Sequence, residues 1–245
     1  MLAATAFSGA GMIIVPSDTL RAIELLKRSG ALYERAYQYG EAIYPYIDAS
    51  VLLCGQGKRS EACEMWRAFA QRAEDSGDSI SAGTGYASAA VRLEEMGRLD
   101  EAAALEIKAG NLYEKSGELW RSAQEYQWAA KKLDTLGEKQ EAIGLYRKAG
   151  AIYAKTNQTL RFYFIADVYG RAAELLLESG NKQEVLVLAE DMRRVGEEAE
   201  STGEYWSAVS LYKKAGDILR DAGKKKESQS LYKKAKETEG KAKRQ

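Results

Sequence analysis

The chain has 245 residues, 45% of them apolar, with 36 Lys/Arg balanced by 36 Asp/Glu, two cysteines, two prolines and no histidine. Zero net charge argues against bulk attraction to nucleic acid or to an anionic membrane. The missing histidine removes the commonest general base and the commonest metal ligand together.

The first fifteen residues are apolar, and Phe7, Ala10, Gly11 and Ile14 fall on one helical face. This stretch has no basic leader and is too short to span a bilayer. It reads as the first helix, about 3–15, of a helical hairpin. A membrane-touching Met1–Val15 segment is the alternative. Pro16 stops that helix, and Ser17 or Asp18 caps a second one over about 18–37.

From there the chain repeats itself. Tyr86, Ala89, Ala90, Leu93, Gly97, Ala102, Leu105 and Ala109 return as Tyr126, Ala129, Ala130, Leu133, Gly137, Ala142, Leu145 and Ala149, each 40 positions on. The same tyrosine face recurs at Tyr46, Tyr169 and Tyr212, and turn glycines stand at 57, 97, 137, 180 and 223. A fixed period of this length, with few prolines and much Ala, Glu, Lys and Leu, predicts stacked helical hairpins.

The hairpins are expected at about 1–37, 41–76, 79–116, 119–156, 159–202 and 204–240, with a basic tail at 241–245. The class is therefore all-α: a right-handed superhelical solenoid of about six antiparallel hairpins in one domain, with a concave working face. Pro45 is expected in a first turn, where its missing N–H costs little. Gly83 and Gly85 are expected to loosen the start of their helix, at about 1 kcal/mol each relative to alanine. The fifth hairpin is longer than the others. Small residues in Ser29-Gly30, Ala109-Gly110 and Ala149-Gly150 let the next helix approach, with a tyrosine filling the gap beside each.

These residues resemble the tetratricopeptide repeat pattern, although its unit has 34 residues rather than 40. The longer hairpins, and the stretch Glu141-Ala142-Ile143-Gly144-Leu145-Tyr146-Arg147-Lys148-Ala149-Gly150, are similar to the soluble NSF-attachment protein (SNAP) family. That resemblance implies an adaptor that grips a bundle of SNARE helices and recruits a hexameric disassembly ATPase. Two features depart from it. The chain ends Lys241-Ala242-Lys243-Arg244-Gln245 without the family's leucines, and its first turn, Val15-Pro16-Ser17-Asp18, lacks the paired-aromatic membrane loop.

Candidate contact residues follow from the repeat register. Most tyrosines occupy the core position, and Trp120 and Trp206, six residues before a repeat tyrosine, read as packing residues. Trp128 lies off the core face, either as a contact anchor or partly buried by a neighbour. The inner positions run from apolar (Ile47, Val51, Cys54) to charged (Gln127, Lys131, Asp134, then Lys213, Asp217, Arg220). From Lys213 onward, twelve Lys/Arg face five Asp/Glu. Lys224, Lys225 and Lys226 head that segment, as a solvated cap or as a steering patch for an acidic partner. The candidate partner-binding residues are thus Trp128, Lys131, Lys213, Arg220, Lys224, Lys225 and Lys226.

No catalytic residue, metal site, cofactor or nucleic-acid site is expected. Acid and base residues read as exposed solubilising pairs along single helices. Two cysteines are too few for a disulfide framework, so Cys54 and Cys63 read as reduced packing residues. The partner is a protein with helical or coiled-coil segments, a SNARE bundle and an ATPase being what the resemblance adds. The setting is cytoplasmic, with only weak peripheral membrane contact.

Overall fold

The structure, a computed structural model, describes residues 3–8 and 18–244, and every regular element among them is an α-helix. After α1 (residues 3–8) come α2 (Thr19–Arg35), α3 (Tyr39–Gly55), α4 (Arg59–Asp75), α5 (Ser79–Glu95), α6 (Leu99–Lys115), α7 (Leu119–Leu136), α8 (Lys139–Tyr153), α9 (Arg161–Glu178), α10 (Lys182–Ser201), α11 (Tyr205–Asp221) and α12 (Lys225–Ala242). Their ends fall close to the expected positions. Met1, Ala10, Gly11, Ile14, Val15, Pro16 and Ser17, on which part of the first-hairpin reading rests, lie outside the described residues.

The helices pack as two compact units, residues 1–118 and 119–245. In the first, α2 packs on α3, α3 on α4, α4 on α5 and α5 on α6; in the second, each of α7 to α11 packs on its successor. Short connections make neighbours antiparallel, so each unit is a run of hairpins.

The turns are built alike. In Gly57, Gly97, Gly137, Gly180 and Gly223, φ lies between +74° and +86°, the left-handed basin that glycine enters without strain. The residue after each glycine then donates its N–H to the carbonyl of a core leucine five positions back, as Arg98 does to Leu93 at 2.9 Å. This closes the helix end and satisfies its carbonyls. At the end of α2, Tyr37 stands where the other repeats place glycine and holds φ at +55°. Asp18 caps α2 through the Arg21 amide at 3.0 Å.

Stacking rests on glycine–tyrosine sockets. A Cβ on Gly30 would lie 2.5 Å from the Tyr46 ring, one on Gly150 would lie 2.1 Å from Tyr169, and one on Gly196 would lie 2.6 Å from Tyr212. In these three pairs the ring of a hairpin's first helix therefore seats against bare backbone of the helix before it. Each buried aromatic removes ~150–250 Å² from water, about 4–6 kcal/mol before entropy is counted. At Tyr86 the roles are exchanged: Ala70 stands on α4, and Gly85 on α5 makes the room, where a Cβ would meet Ala70 Cβ at 2.7 Å.

Three expectations are corrected. Helix α3 starts at Tyr39, so Pro45 lies inside it, buried, and its ring displaces the hydrogen bond to the Glu41 carbonyl. Helix α5 is continuous through Gly83 and Gly85, which are packing positions: a Cβ on Gly83 would lie 2.9 Å from Tyr113. Trp206 is 59% exposed rather than packed, and Tyr163 at the same repeat position is 68% exposed. The third member, Trp120, is covered because Phe164 and Tyr153 meet it at ring distances of 5.2 and 5.0 Å. The residue that would cover Tyr163 in the same way is Ser207.

Candidate functional site

Helix α7 carries Gln127, Trp128, Lys131, Asp134 and Thr135 on the face turned away from its core residues Tyr126, Ala129, Ala130 and Leu133. Their spacing of one, four, seven and eight residues keeps them on one side of the helix. Together with Tyr146 of α8 and Asp167 and Arg171 of α9 they line a cleft of about 410 Å³ within the second unit.

The cleft is held by a polar frame. Arg171 forks onto Asp134, Nε to Oδ2 at 2.7 Å and a terminal nitrogen to Oδ1 at 3.1 Å, and also reaches Glu174 at 3.0 Å. Those hydrogen bonds keep the guanidinium charged, its pKa raised above the usual arginine value. Gln127 donates to Asp167 at 2.9 Å and accepts from the Tyr153 hydroxyl at 2.8 Å. Burial, helped by the Asp134 charge, pushes the Tyr146 phenol up to about 12. Inside this frame two groups are left for a ligand. Trp128 is 45% exposed, and Lys131 has no carboxylate partner among the described residues.

The remaining candidates lie elsewhere. On α11, Arg220 is paired with Asp217 at 2.9 Å and with Asp221 at 3.0 Å, and Lys213 sits 3.7 Å from Glu239. Lys224, Lys225 and Lys226 open α12, all exposed. Lys224 lines a different cavity, between α10 and α12. The seven residues are therefore not one site. Trp128 and Lys131 are brought together; the others are not joined to them by this cleft.

The model of the family described as soluble NSF attachment protein, SNAP, matches residues 93–244, more than half of the sequence. The chain belongs to the SNAP family. Among solved structures it is similar to BtubC (BKLC) from P. vanneervenii, with 17% identity over 98% of this chain and 92% of that one, at a TM-score of 0.53. A Podosopora anserina putative kinesin light chain with nearly identical TPR-like repeats aligns at 19% identity over 82% of this chain and 96% of that one, at a TM-score of 0.49. No curated protein matches at the sequence level. The first of these likenesses agrees with a TPR-like helical-repeat fold; families of this kind are generally non-enzymatic protein-binding scaffolds. Among the described residues no helix of this SNAP-family chain is long and apolar enough to cross a membrane.

Sequence reasoning missed Asp167 and Arg171. Aligning the repeat tyrosines matches Gln127 to Gly170 and Lys131 to Glu174, a shift of 43. The contacts instead join residues 40 apart (Gln127–Asp167) and 37 apart (Asp134–Arg171), so side chains of these first helices meet three and six residues out of the repeat register. The same spacing recurs in ion pairs throughout each unit. Glu34 pairs with Arg72 at 2.5 Å, Arg147 with Glu184 at 2.7 Å and Lys234 with Glu197 at 2.5 Å, all 37 or 38 residues apart. Acid–base pairs in this chain thus bridge successive hairpins as well as solubilising single helices. An acid about 37 residues from a base is the signal that would have found them.

Proposed function

We propose that the chain is a non-enzymatic adaptor whose second unit holds a helical segment of a partner protein on the face of α7 and α9. The observation that carries this reading is an exposed tryptophan beside an uncommitted ammonium over a cleft whose other charges are already paired. Large aromatic anchors of this kind dominate binding energy at protein interfaces. A helix presenting an apolar residue to Trp128 and an acid to Lys131 fits both groups. The test is affinity capture from the protein's own cell extract with the intact chain, repeated with Trp128→Ala and Lys131→Glu. Both variants are surface changes and should retain native helical circular dichroism. The specific partner should be lost from both, and its retention on both would overturn the site.

Family membership favours one sharper reading: the helical segment is a SNARE bundle, and the chain presents it to a hexameric ATPase. Purified SNARE bundle and ATPase, with the chain added, should then show bundle disassembly that depends on the chain. Ordinary ATPase turnover with an intact bundle would reject this reading and leave the general scaffold standing. A peripheral membrane role for Met1–Val15 is the third reading. It predicts liposome co-sedimentation that is lost when residues 1–15 are removed.

A further inference from the structure

We propose that one edge of α2 docks an acidic helix of a partner protein, laid beside it as a preceding hairpin's second helix would be. Arg21, Arg28 and Arg35 are exposed on α2 at seven-residue intervals. Two helical turns separate neighbours, so the three stand in one row about 10 Å apart. The arginines of α4, α5, α8, α9, α10 and α11 each hold a carboxylate within 4.0 Å, whereas these three hold none among the described residues. Of the two acids between Arg21 and Arg35, Glu34 is buried and taken by Arg72 and Tyr46, which leaves only exposed Glu24 against the row. The row is therefore net positive.

The repeat register selects the occupant. Arg28 lies over the Phe7 ring at 4.7 Å, as Lys108 lies over Tyr86 at 4.1 Å and Lys234 over Tyr212 at 4.8 Å, so the three cations are equivalent. The later two also reach back to the second helix of the hairpin before: Lys108 to Glu74 at 2.8 Å, and Lys234 to Glu197 at 2.5 Å. Seven residues on, Lys241 matches Arg35 and reaches back to Glu200 at 2.6 Å. The place of Arg21 is held in α4 by Glu61, which reaches back to Lys27 at 2.5 Å. Among the described residues no second helix precedes α2. There Arg28 and Arg35 open on a cavity of about 240 Å³ walled by Phe7, Ala31 and Leu32, with no acid in its lining. A helix with a carboxylate every seventh residue, and small apolar side chains between, matches both row and cavity. A second copy supplies no such helix at either end: its α12 carries six lysines against three glutamates, and its α2 would oppose arginine with arginine. This edge lies in the first unit and does not depend on the Trp128 cleft.

The probe is a fluorescein-labelled helical peptide with glutamate at every seventh position and alanine or leucine beside each. Fluorescence anisotropy with the full chain reads its binding. The control peptide has the same composition with its glutamates scattered around the helix. Arg28→Gln with Arg35→Gln should weaken the acidic peptide by about tenfold or more. Arg21→Gln with Arg35→Gln, which spares the Phe7 contact, should do the same. Lys224→Glu with Lys225→Glu and Lys226→Glu, on α12 and its cap, should leave binding unchanged. All these side chains are exposed, so each variant should keep native helical circular dichroism. The proposal is overturned by no binding of the acidic peptide, by equal binding of the scattered-glutamate peptide, or by a loss that follows the lysine reversal and not the arginine changes. The second result would mean a merely basic surface and the third an occupant on the second unit. In the first case, co-sedimentation with phosphatidylserine vesicles that the arginine changes abolish would assign the row to a membrane surface instead.

Discussion

The Tyr212 hydroxyl donates to Glu200, twelve residues before it, at 3.0 Å, while Lys241 holds the same carboxylate at 2.6 Å. Two other interfaces carry the same relationship at the same separation. Tyr86 donates to Glu74 at 2.8 Å with Lys108 beside it, and Tyr46 donates to Glu34 at 2.7 Å with Arg72 beside it. The rings of Tyr46, Tyr86 and Tyr212 thus end in a phenol–carboxylate–cation chain, which gives the polar tip a partner as the ring is buried.

Paired carboxyls and buried phenols set the pH limits of the fold. Lys108 and Lys241 hold the Glu74 and Glu200 carboxyls below their ordinary value, so these groups add stability above about pH 4.5 that is lost as pH falls through their folded values. Burial raises the phenols, with Tyr146 and Tyr169 pushed up to about 12. Unfolded phenols release their proton near pH 10, so the phenol contribution is complete below that and drains away between about 10 and 12. Thermal melts across pH should therefore show a plateau falling at both ends. In Tyr169→Phe the alkaline fall should shrink. An identical alkaline fall in that variant would remove the assignment.

Helix α8 offers a paired test of the sockets. Gly150 has no room for a methyl group, with Tyr169 Cε1 at 2.1 Å from where the Cβ would stand, whereas Gly144 faces open space. Gly150→Ala should destabilise the second unit by about 1–3 kcal/mol through overpacking. Gly144→Ala should stabilise it by up to about 1 kcal/mol, since alanine is the better helix former. Urea denaturation of the two variants should move in opposite directions. Equal shifts would mean that Gly150 is not a socket.

Much of this was legible beforehand, and the reason is physical. The small half of a socket was legible, because Gly30 and Gly150 stand where the repeat lets the next helix approach; the ring that enters was not, since it comes from the following helix, 16 residues on at Gly30 and 19 at Gly150. Helix ends were legible because glycine is the cheap occupant of the left-handed basin. What was not legible depends on neighbours outside the repeat register. Trp120 is covered because Phe164 reaches it, and Arg171 finds Asp134 only through a six-residue offset from the repeat register. Trp128 and Lys131 share one face because both lie on one helix, where three-residue spacing fixes their relation.

Tyr37 pays for a conformation that glycine adopts freely. It is 82% exposed and holds φ at +55°, with its N–H given to the Glu34 carbonyl at 2.9 Å. A left-handed L-residue costs roughly 1–2 kcal/mol, part of which glycine gives back through its freer unfolded chain. Tyr37→Gly should therefore stabilise the first unit by up to about 1 kcal/mol. A higher melting temperature for that unit checks it, and a lower one would mean that the ring makes a contact worth more than the strain.

The two thiols should differ in reactivity. Cys63 is buried and accompanies the aromatic cluster of Tyr46, Trp66 and Phe69, with its thiol directed at the Ala89 carbonyl 3.7 Å away. Burial raises its pKa, which leaves less of the reactive thiolate. Cys54 is half-buried and accepts from Arg92 at 3.0 Å, so its sulfur lies within reach of a reagent in the folded chain. A disulfide-exchange reagent added to the folded chain should modify Cys54 first, and Cys63 only on the timescale of unfolding. Cys54→Ser should remove the fast phase alone. Equal rates at both positions would show that the first unit opens around α4 far more readily than its packing implies, since reagent reaches Cys63 only when α4 separates from α5.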